Sequence, residues 1–398
     1  MLIKKPLNLL IFTAVLLIVI PYLFGNIFGK NTPDRFLLSL CAFISFTILF
    51  EFLFRFFYKI YNGKYYELIV KPPFDKIYVE SHPYFPYVYK KNFQGPPSQK
   101  LGYPLHPNML SAELTTNNFC FYNGTNGDRD IIIPKPDKLL RINCLGASTT
   151  GNYISVENNN YSYPLELEKI LQSKLPGDIE VNNCGMGGYN SADILVRFAL
   201  QIIDTEPDYI IIYHAYNDIN SYLTANFSTD YSHSRKNFGE VYTRLHIASK
   251  IPDIKLKFYN FLINKLFPAF TVKNNLISAV SKGRYNSNND FSLGLKVFER
   301  NLQSIIALCS SNNIKVILST YCFYLHEQIK NDPTHLLFNK IVTKENVIIK
   351  KLSEKNNLKL VDSASLIPRD DSYFVDSVHF TPKGMKLLAK CISDVIVK

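Results

Sequence analysis

Along this chain the hydrophobic positions fall into three successive patterns. Leu7 to Phe28 is almost unbroken apolar sequence, and Phe36 to Phe57 is a second such run, interrupted by Glu51 and Arg55. About 20 consecutive apolar residues suffice for a helix to cross a bilayer. The two runs therefore predict two transmembrane helices, at about 7–28 and 36–57, joined by a tight loop from Gly29 to Arg35. A charge at the centre of such a helix costs roughly 2.5–3.5 kcal/mol. Glu51 and Arg55 instead lie towards the end of their run, at a spacing that lets them pair along one helix face. One spanning helix followed by one interfacial helix is the alternative arrangement. No small-x-small cleavage site follows the first run, which argues against a removable signal peptide. Lys4 and Lys5 precede the first run, and Lys59, Lys64, Lys71 and Lys76 follow the second. Two spans would then keep both ends in the cytoplasm, whereas one would export the main domain. The side of the membrane stays open.

The second pattern, within 59–136, is rich in Pro, Tyr and Asn from Tyr65 onward and has no sustained helical period. It reads as a linker and an irregular flank laid on the main domain. From Asp137 the third pattern begins. Short apolar runs at Arg141–Leu145, Ile179–Cys184, Tyr209–Tyr213, Ile314–Thr320 and Leu358–Val361 read as buried strands. Helical periods at Pro164–Leu175, Ser191–Ile203, Leu293–Ser310 and Thr343–Lys355 alternate with them. Continuous apolar strands alternating with helices predict an α/β domain over 137–398, its parallel sheet covered on both faces. Asn220 to Asp290 interrupts the alternation with an apolar, lysine-dotted stretch from Ile254 to Phe267. That stretch reads either as an inserted helical cap near the site or as a scaffold helix packed on the sheet.

Composition changes this picture little. At 398 residues and 47% hydrophobic, the chain can bury a sizeable core. Its seven cysteines are odd in number and form no Cys-x-x-Cys pair, which suits small buried thiols better than a disulfide framework or a zinc site. A Cys144–Cys184 bridge is left open. The formal charge of +11 favours anionic surroundings, such as phospholipid headgroups or acidic polymers. Without an arginine-rich stripe or a reader motif, it does not argue for nucleic acid.

The candidate chemistry lies in four islands: Gly146-Ala147-Ser148-Thr149, Asn183-Cys184-Gly185-Met186-Gly187-Gly188, Asn217-Asp218 and Asp376-Ser377-Val378-His379. The first three fall beyond the carboxyl ends of predicted strands, where open α/β sheets bind ligands. The fourth follows the last strand. A serine hydroxyl is a weak nucleophile until a base takes its proton. His379 is the favoured base, because Asp376 three residues earlier can hold one ring nitrogen and leave the other for Ser148. The Gly188 N–H, in a glycine-rich turn, and the Asn217 amide are candidate donors to a developing oxyanion, together with the Ser148 N–H. The blander readings are an N-cap serine, a surface-loop Asp-x-x-His, a turn that needs positive φ, and a loop-capping asparagine.

In order and content the islands resemble the blocks of the SGNH hydrolase superfamily, the GDSL-like lipases and esterases. The name-giving Ser, Gly, Asn and His map to Ser148, Gly188, Asn217 and His379, and the partner Asp maps to Asp376. Asp376-Ser377-Val378-His379-Phe380-Thr381-Pro382-Lys383-Gly384 is the most family-like stretch. Two departures stand out: Ala147 replaces the aspartate of Gly-Asp-Ser-Leu, and Ala215 stands where the third block has glycine. The resemblance implies a three-layer α/β/α, flavodoxin-like fold with a Ser148, His379, Asp376 triad and an oxyanion hole of Ser148, Gly188 and Asn217. It implies no metal and no organic cofactor. With the apolar N-terminus it resembles membrane-anchored bacterial members, which implies an inner-membrane esterase for an acyl or O-acetyl ester on a glycan or lipid. An acyltransferase with the same triad and a non-catalytic scaffold of a membrane complex are the alternatives. Oligomeric state does not follow from the sequence.

Overall fold

The computed structural model describes residues 32–62, 79–95 without 81 and 83, 110–122 without 112–113, 129–223 without 152–153 and 157–158, 227–232, 258 and 290–398. The chain divides into two compact units. One comprises Met1–Lys71 with Ile251–Thr271, and the other Pro72–Lys250 with Val272–Lys398.

In the first unit a single helix, α1 (Thr32–Asn62), runs through the second apolar stretch and past both its ends. Glu51 and Arg55 pair on it as their spacing predicts, at 2.8 Å. The other Glu51 oxygen accepts the Phe258 N–H at 2.6 Å, and the Phe258 ring lies against Phe50 and Phe54. Among the described residues no helix is long and apolar enough to cross a membrane. The predicted span at 7–28 lies outside those residues, as do several side chains of the predicted span at 36–57. The transmembrane expectation is therefore not shown.

The second unit holds a five-stranded parallel sheet. Its strands are β1 (Leu140–Gly146), β2 (Ile179–Asn183), β3 (Tyr209–Tyr213), β4 (Lys315–Ser319) and β5 (Lys359–Val361), in the spatial order β5-β4-β3-β1-β2. The connecting helices are α2 (Ser148–Gly151), α3 (Tyr163–Lys174), α4 (Ser191–Arg197), α5 (Asn217–Tyr222), α6 (Ser292–Ser311), α7 (Pro333–Lys355) and α8 (Pro382–Val397). Right-handed crossovers decide which face each long helix covers. The step from β1 to β2 runs one way along the sheet, and every later step runs the other way. α3 is thereby set on one face, and α4, α6 and α7 on the other. The packing agrees: α3 lies against α8, and α6 against both α4 and α7. Within the sheet Ile142, Cys144, Ile210, Ile211 and Ile317 are fully buried.

The predicted strands agree with these within about a residue at each end. α7 begins ten residues before the predicted Thr343, at an Asp332 cap whose carboxylate accepts the His335 N–H at 2.9 Å, with Pro333 in the first turn. α8 was not among the predicted helices. Its start carries the same signal, since Thr381 accepts the Gly384 N–H ahead of a buried stripe of Met385, Leu388, Ala389, Ile392 and Ile396.

The flank also contributes to this core. Phe85, Tyr87, Val88, Tyr89, Cys120 and Phe121 are buried in it. Tyr122 bridges to Asn183 at the sheet's edge, its N–H donating to the Asn183 carbonyl at 3.2 Å. Most of the predicted cap, 220–290, lies outside the described residues. All seven cysteines are free, which closes the Cys144–Cys184 alternative. Burial pushes the Cys184 thiol up to about 12, against the nearby Arg197 charge. Such a thiol is inert.

Candidate active site

Strand order places the site. The sequence of strands reverses direction between β1 and β3, and ligands of open α/β sheets bind at that crevice. Gly146 at the end of β1 lies level with Tyr213 at the end of β3. A Cβ on Gly146 would meet the Thr150 hydroxyl oxygen at 2.1 Å and the Tyr213 carbonyl oxygen at 2.5 Å, so only glycine lets the chain turn here. The turn delivers Ser148 to the first position of α2, half-buried. Ala147, in the place of the aspartate of Gly-Asp-Ser-Leu, is itself buried and accepts the Thr150 and Gly151 N–H groups through its carbonyl.

Ser148, His379 and Asp376 come together from chain positions far apart. The Ser148 hydroxyl lies 3.0 Å from His379 Nε2. His379 Nδ1 lies 2.8 Å from Asp376 Oδ2. Asp376 Oδ1 accepts the Val378 and His379 N–H groups, each at 2.8 Å, which folds Asp-x-x-His into a closed turn with its ring aimed back along the carboxylate. Desolvation acts to raise the Asp376 carboxyl. The His379 charge, the ring hydrogen bond and the two amides outweigh it and hold the group well below the usual carboxylate range. For His379 burial acts downward, but the Asp376 charge and hydrogen bond prevail and raise the imidazole above its ordinary value.

The two remaining candidates sit on neighbouring segments. Gly188 follows β2 with φ +79°, a conformation that disfavours a side chain. Among the described residues its N–H has no acceptor. Asn217 opens α5 and donates through Nδ2 to the Tyr189 carbonyl at 3.0 Å, so the amide is tied to the residue after Gly188. Ala215, in the place of a family glycine, is buried and is not among the residues with positive φ. A methyl group there costs nothing in the backbone.

Two sets of partners were not foreseen from sequence. The first is a buried network around Asp218. Its carboxylate accepts the Ser191 N–H at 2.8 Å and the Ser191 hydroxyl at 2.6 Å, meets His214 Nε2 at 2.6 Å and accepts the Tyr231 hydroxyl. Asn301 of α6 in turn donates to the Ser191 hydroxyl at 2.8 Å. Asp218 thus joins the segment after β3 to the start of α4, beside the link from Asn217 to Tyr189. The second is a tyrosine pair. Tyr87 of the flank donates its hydroxyl to the Gly187 carbonyl, and Tyr189 donates its hydroxyl to the Tyr87 carbonyl. Their rings meet edge to face at 5.4 Å. No short motif announces either set, because each joins elements distant in sequence.

A hydroxyl on a hydrogen-bonded imidazole, itself held by a carboxylate, is an arrangement that can abstract the hydroxyl proton during attack on a carbonyl. A comparison with protein families points the same way. A model of the GDSL-like lipase/acylhydrolase family matches residues 144–387, more than half of the chain. No curated protein matches. Solved structures that resemble the chain include a GDSL-like lipase from Bacteroides thetaiotaomicron, 16% identical, covering 64% of this chain and 87% of its own, with a TM-score of 0.36. A lipase/acylhydrolase from Enterococcus faecalis is 17% identical over 65% of this chain and 95% of its own, with a TM-score of 0.39. A variant acetyl xylan esterase from Geobacillus stearothermophilus is 16% identical over 65% and 94%, with a TM-score of 0.39.

Proposed function

This chain belongs to the GDSL-like lipase/acylhydrolase family and is a serine hydrolase, and from that premise we propose that Ser148, His379 and Asp376 are its catalytic triad and that it removes an acyl or O-acetyl group from a glycan or lipid at a membrane. The observation that carries the reading is the unbroken line from the Ser148 hydroxyl through the His379 ring to Asp376, at 3.0 and 2.8 Å. His379 Nε2 takes the Ser148 proton as Oγ attacks the ester carbonyl. Asp376 accepts the Nδ1–H and stabilises the imidazolium that results. The Gly188 and Ser148 N–H groups and the Asn217 amide donate to the oxyanion. Collapse breaks the bond to the leaving alcohol, which receives the proton from Nε2 and leaves an acyl-serine. Water then attacks under the same base, and the acid departs with Ser148 restored.

Membrane anchoring rests on the two N-terminal apolar runs and on α1, where Phe52 and Ile60 are 71% and 66% exposed. Large exposed apolar side chains along one helix are the signature of a helix that meets lipid or another protein. Both runs together suit a bacterial inner-membrane location.

The decisive experiment is labelling with a fluorophosphonate in detergent, followed by turnover of p-nitrophenyl acetate. Wild type should label and turn over. Ser148→Ala should abolish labelling, and His379→Ala should lower turnover by about 10⁴-fold or more. Equal labelling of wild type and Ser148→Ala would sink the assignment.

A further inference from the structure

The carbonyl of Gly187 and the N–H of Gly188 belong to one peptide unit. In a trans peptide they point in opposite directions from the same plane. Whatever holds the carbonyl therefore sets the direction of the N–H, and a hydrogen bond accepted by the carbonyl polarises the N–H into a stronger donor. Tyr87 donates its hydroxyl to that carbonyl. We propose that Tyr87, in the flank and outside the segment matched by the family model, is a positioning residue for the oxyanion hole, acting through the Gly187–Gly188 peptide. This rests on the reading that Ser148 is the nucleophile and the Gly188 N–H an oxyanion donor.

Three observations support the role. Tyr87 is 6% exposed, so its hydroxyl is held in a fixed place rather than sampling solvent. The Tyr189 hydroxyl returns a bond to the Tyr87 carbonyl, and the edge-to-face rings lock the two residues together. Two residues along, the carbonyl of Tyr189 accepts the Asn217 amide. Tyr87 therefore holds one peptide of the turn, and the following residue holds the second oxyanion candidate. The Tyr189 N–H closes the turn onto the Met186 carbonyl at 3.2 Å. That bond engages neither group of the peptide between the two glycines, which have no side chains to orient it, Gly188 sitting at φ +79°.

The test compares full-length wild type, Tyr87→Phe and Tyr189→Phe in detergent, with rates expressed per site titrated by fluorophosphonate. Phenylalanine keeps the ring and its packing and removes only the hydroxyl. Losing an oxyanion donor outright costs about 10²–10³-fold, so losing its orientation should cost less. Tyr87→Phe should lower kcat for p-nitrophenyl acetate by about 10-fold. KM and the pH midpoint should be unchanged, because neither the substrate's ground state nor His379 is touched. Inhibition by phenylboronic acid, which mimics the tetrahedral adduct, should weaken by a similar factor. Tyr189→Phe, which leaves the bond to Gly187 in place, should be several-fold milder. Unchanged kcat in Tyr87→Phe would overturn the inference, as would equal losses in the two variants or a rise in KM that matches the fall in kcat. A wild type that neither labels nor turns over would sink the reading of Ser148 and this inference with it. That outcome is distinguishable, since it is seen before any variant is compared.

Discussion

The smallest unit on which the proposed mechanism turns is the pairing of His379 with Asp376. Because the carboxylate raises the imidazole, the neutral base forms only as pH rises through a value above the ordinary histidine range near about 6.5. The kcat/KM of wild type should climb with pH to a midpoint above that value. Asp376→Asn removes the charge that raises the ring, so its midpoint should fall back, while its plateau drops by about 10³–10⁴-fold. A pH–rate profile of both proteins checks the pair of outcomes, and an unchanged midpoint would contradict the electrostatic account. The sign carries over to stability. A raised histidine stabilises the fold below its unfolded pKa and loses that contribution as pH rises through the folded one. The five candidate residues were legible because each lies within a few residues of its own signal: a strand end, a glycine-rich turn or an Asp-x-x-His spacing. Tyr87, Asn301 and Tyr231 were not, since their partners lie in other elements and no periodicity links them.

Between elements the same physics acts through burial. Glu345 of α7 is fully buried, with one oxygen accepting the Tyr222 hydroxyl of α5 at 3.1 Å and the other without a partner among the described residues. Burial and the nearby Asp218 charge push its carboxyl well above the usual range, with the Tyr222 bond opposing them, so the folded protein keeps this proton to higher pH than the unfolded chain does. The unfolded chain releases that proton above about pH 4.3. Folding is therefore progressively penalised by this residue as pH rises beyond that value. Glu345→Gln should leave Tm nearly unchanged at pH 4 and raise it at pH 8, as thermal melts at the two values would show. A variant less stable at both would mean that the carboxylic acid makes a contact the amide cannot. Strands at this scale were legible almost to the residue, because a parallel strand buried on both faces is a short unbroken apolar run. Helix starts were less so. The first ten residues of α7 and all of α8 begin at Asp-Pro and Thr-Pro caps, where a cap outweighs periodicity.

At the scale of the whole molecule, the α/β domain could be inferred from alternation alone, because only a parallel sheet buries such strands on both sides. The apolar N-terminus gave a length and a charge spacing, and the Glu51–Arg55 pair agrees with that spacing. Deleting residues 1–62 should release the protein from membranes into the alkaline-carbonate supernatant, with the wild type staying in the pellet. A wild type extracted by carbonate would end the anchoring proposal. One further feature concerns time. Ser148 and the histidine it touches are separated by 231 positions. A ribosome adding about 5–20 residues per second emits the nucleophile on the order of 10–50 s before its base. The nascent chain therefore carries an unactivated Ser148 throughout that interval. With the proposed triad, hydrolytic power arrives only once residues 376–379 emerge and dock, a latency set by chain order.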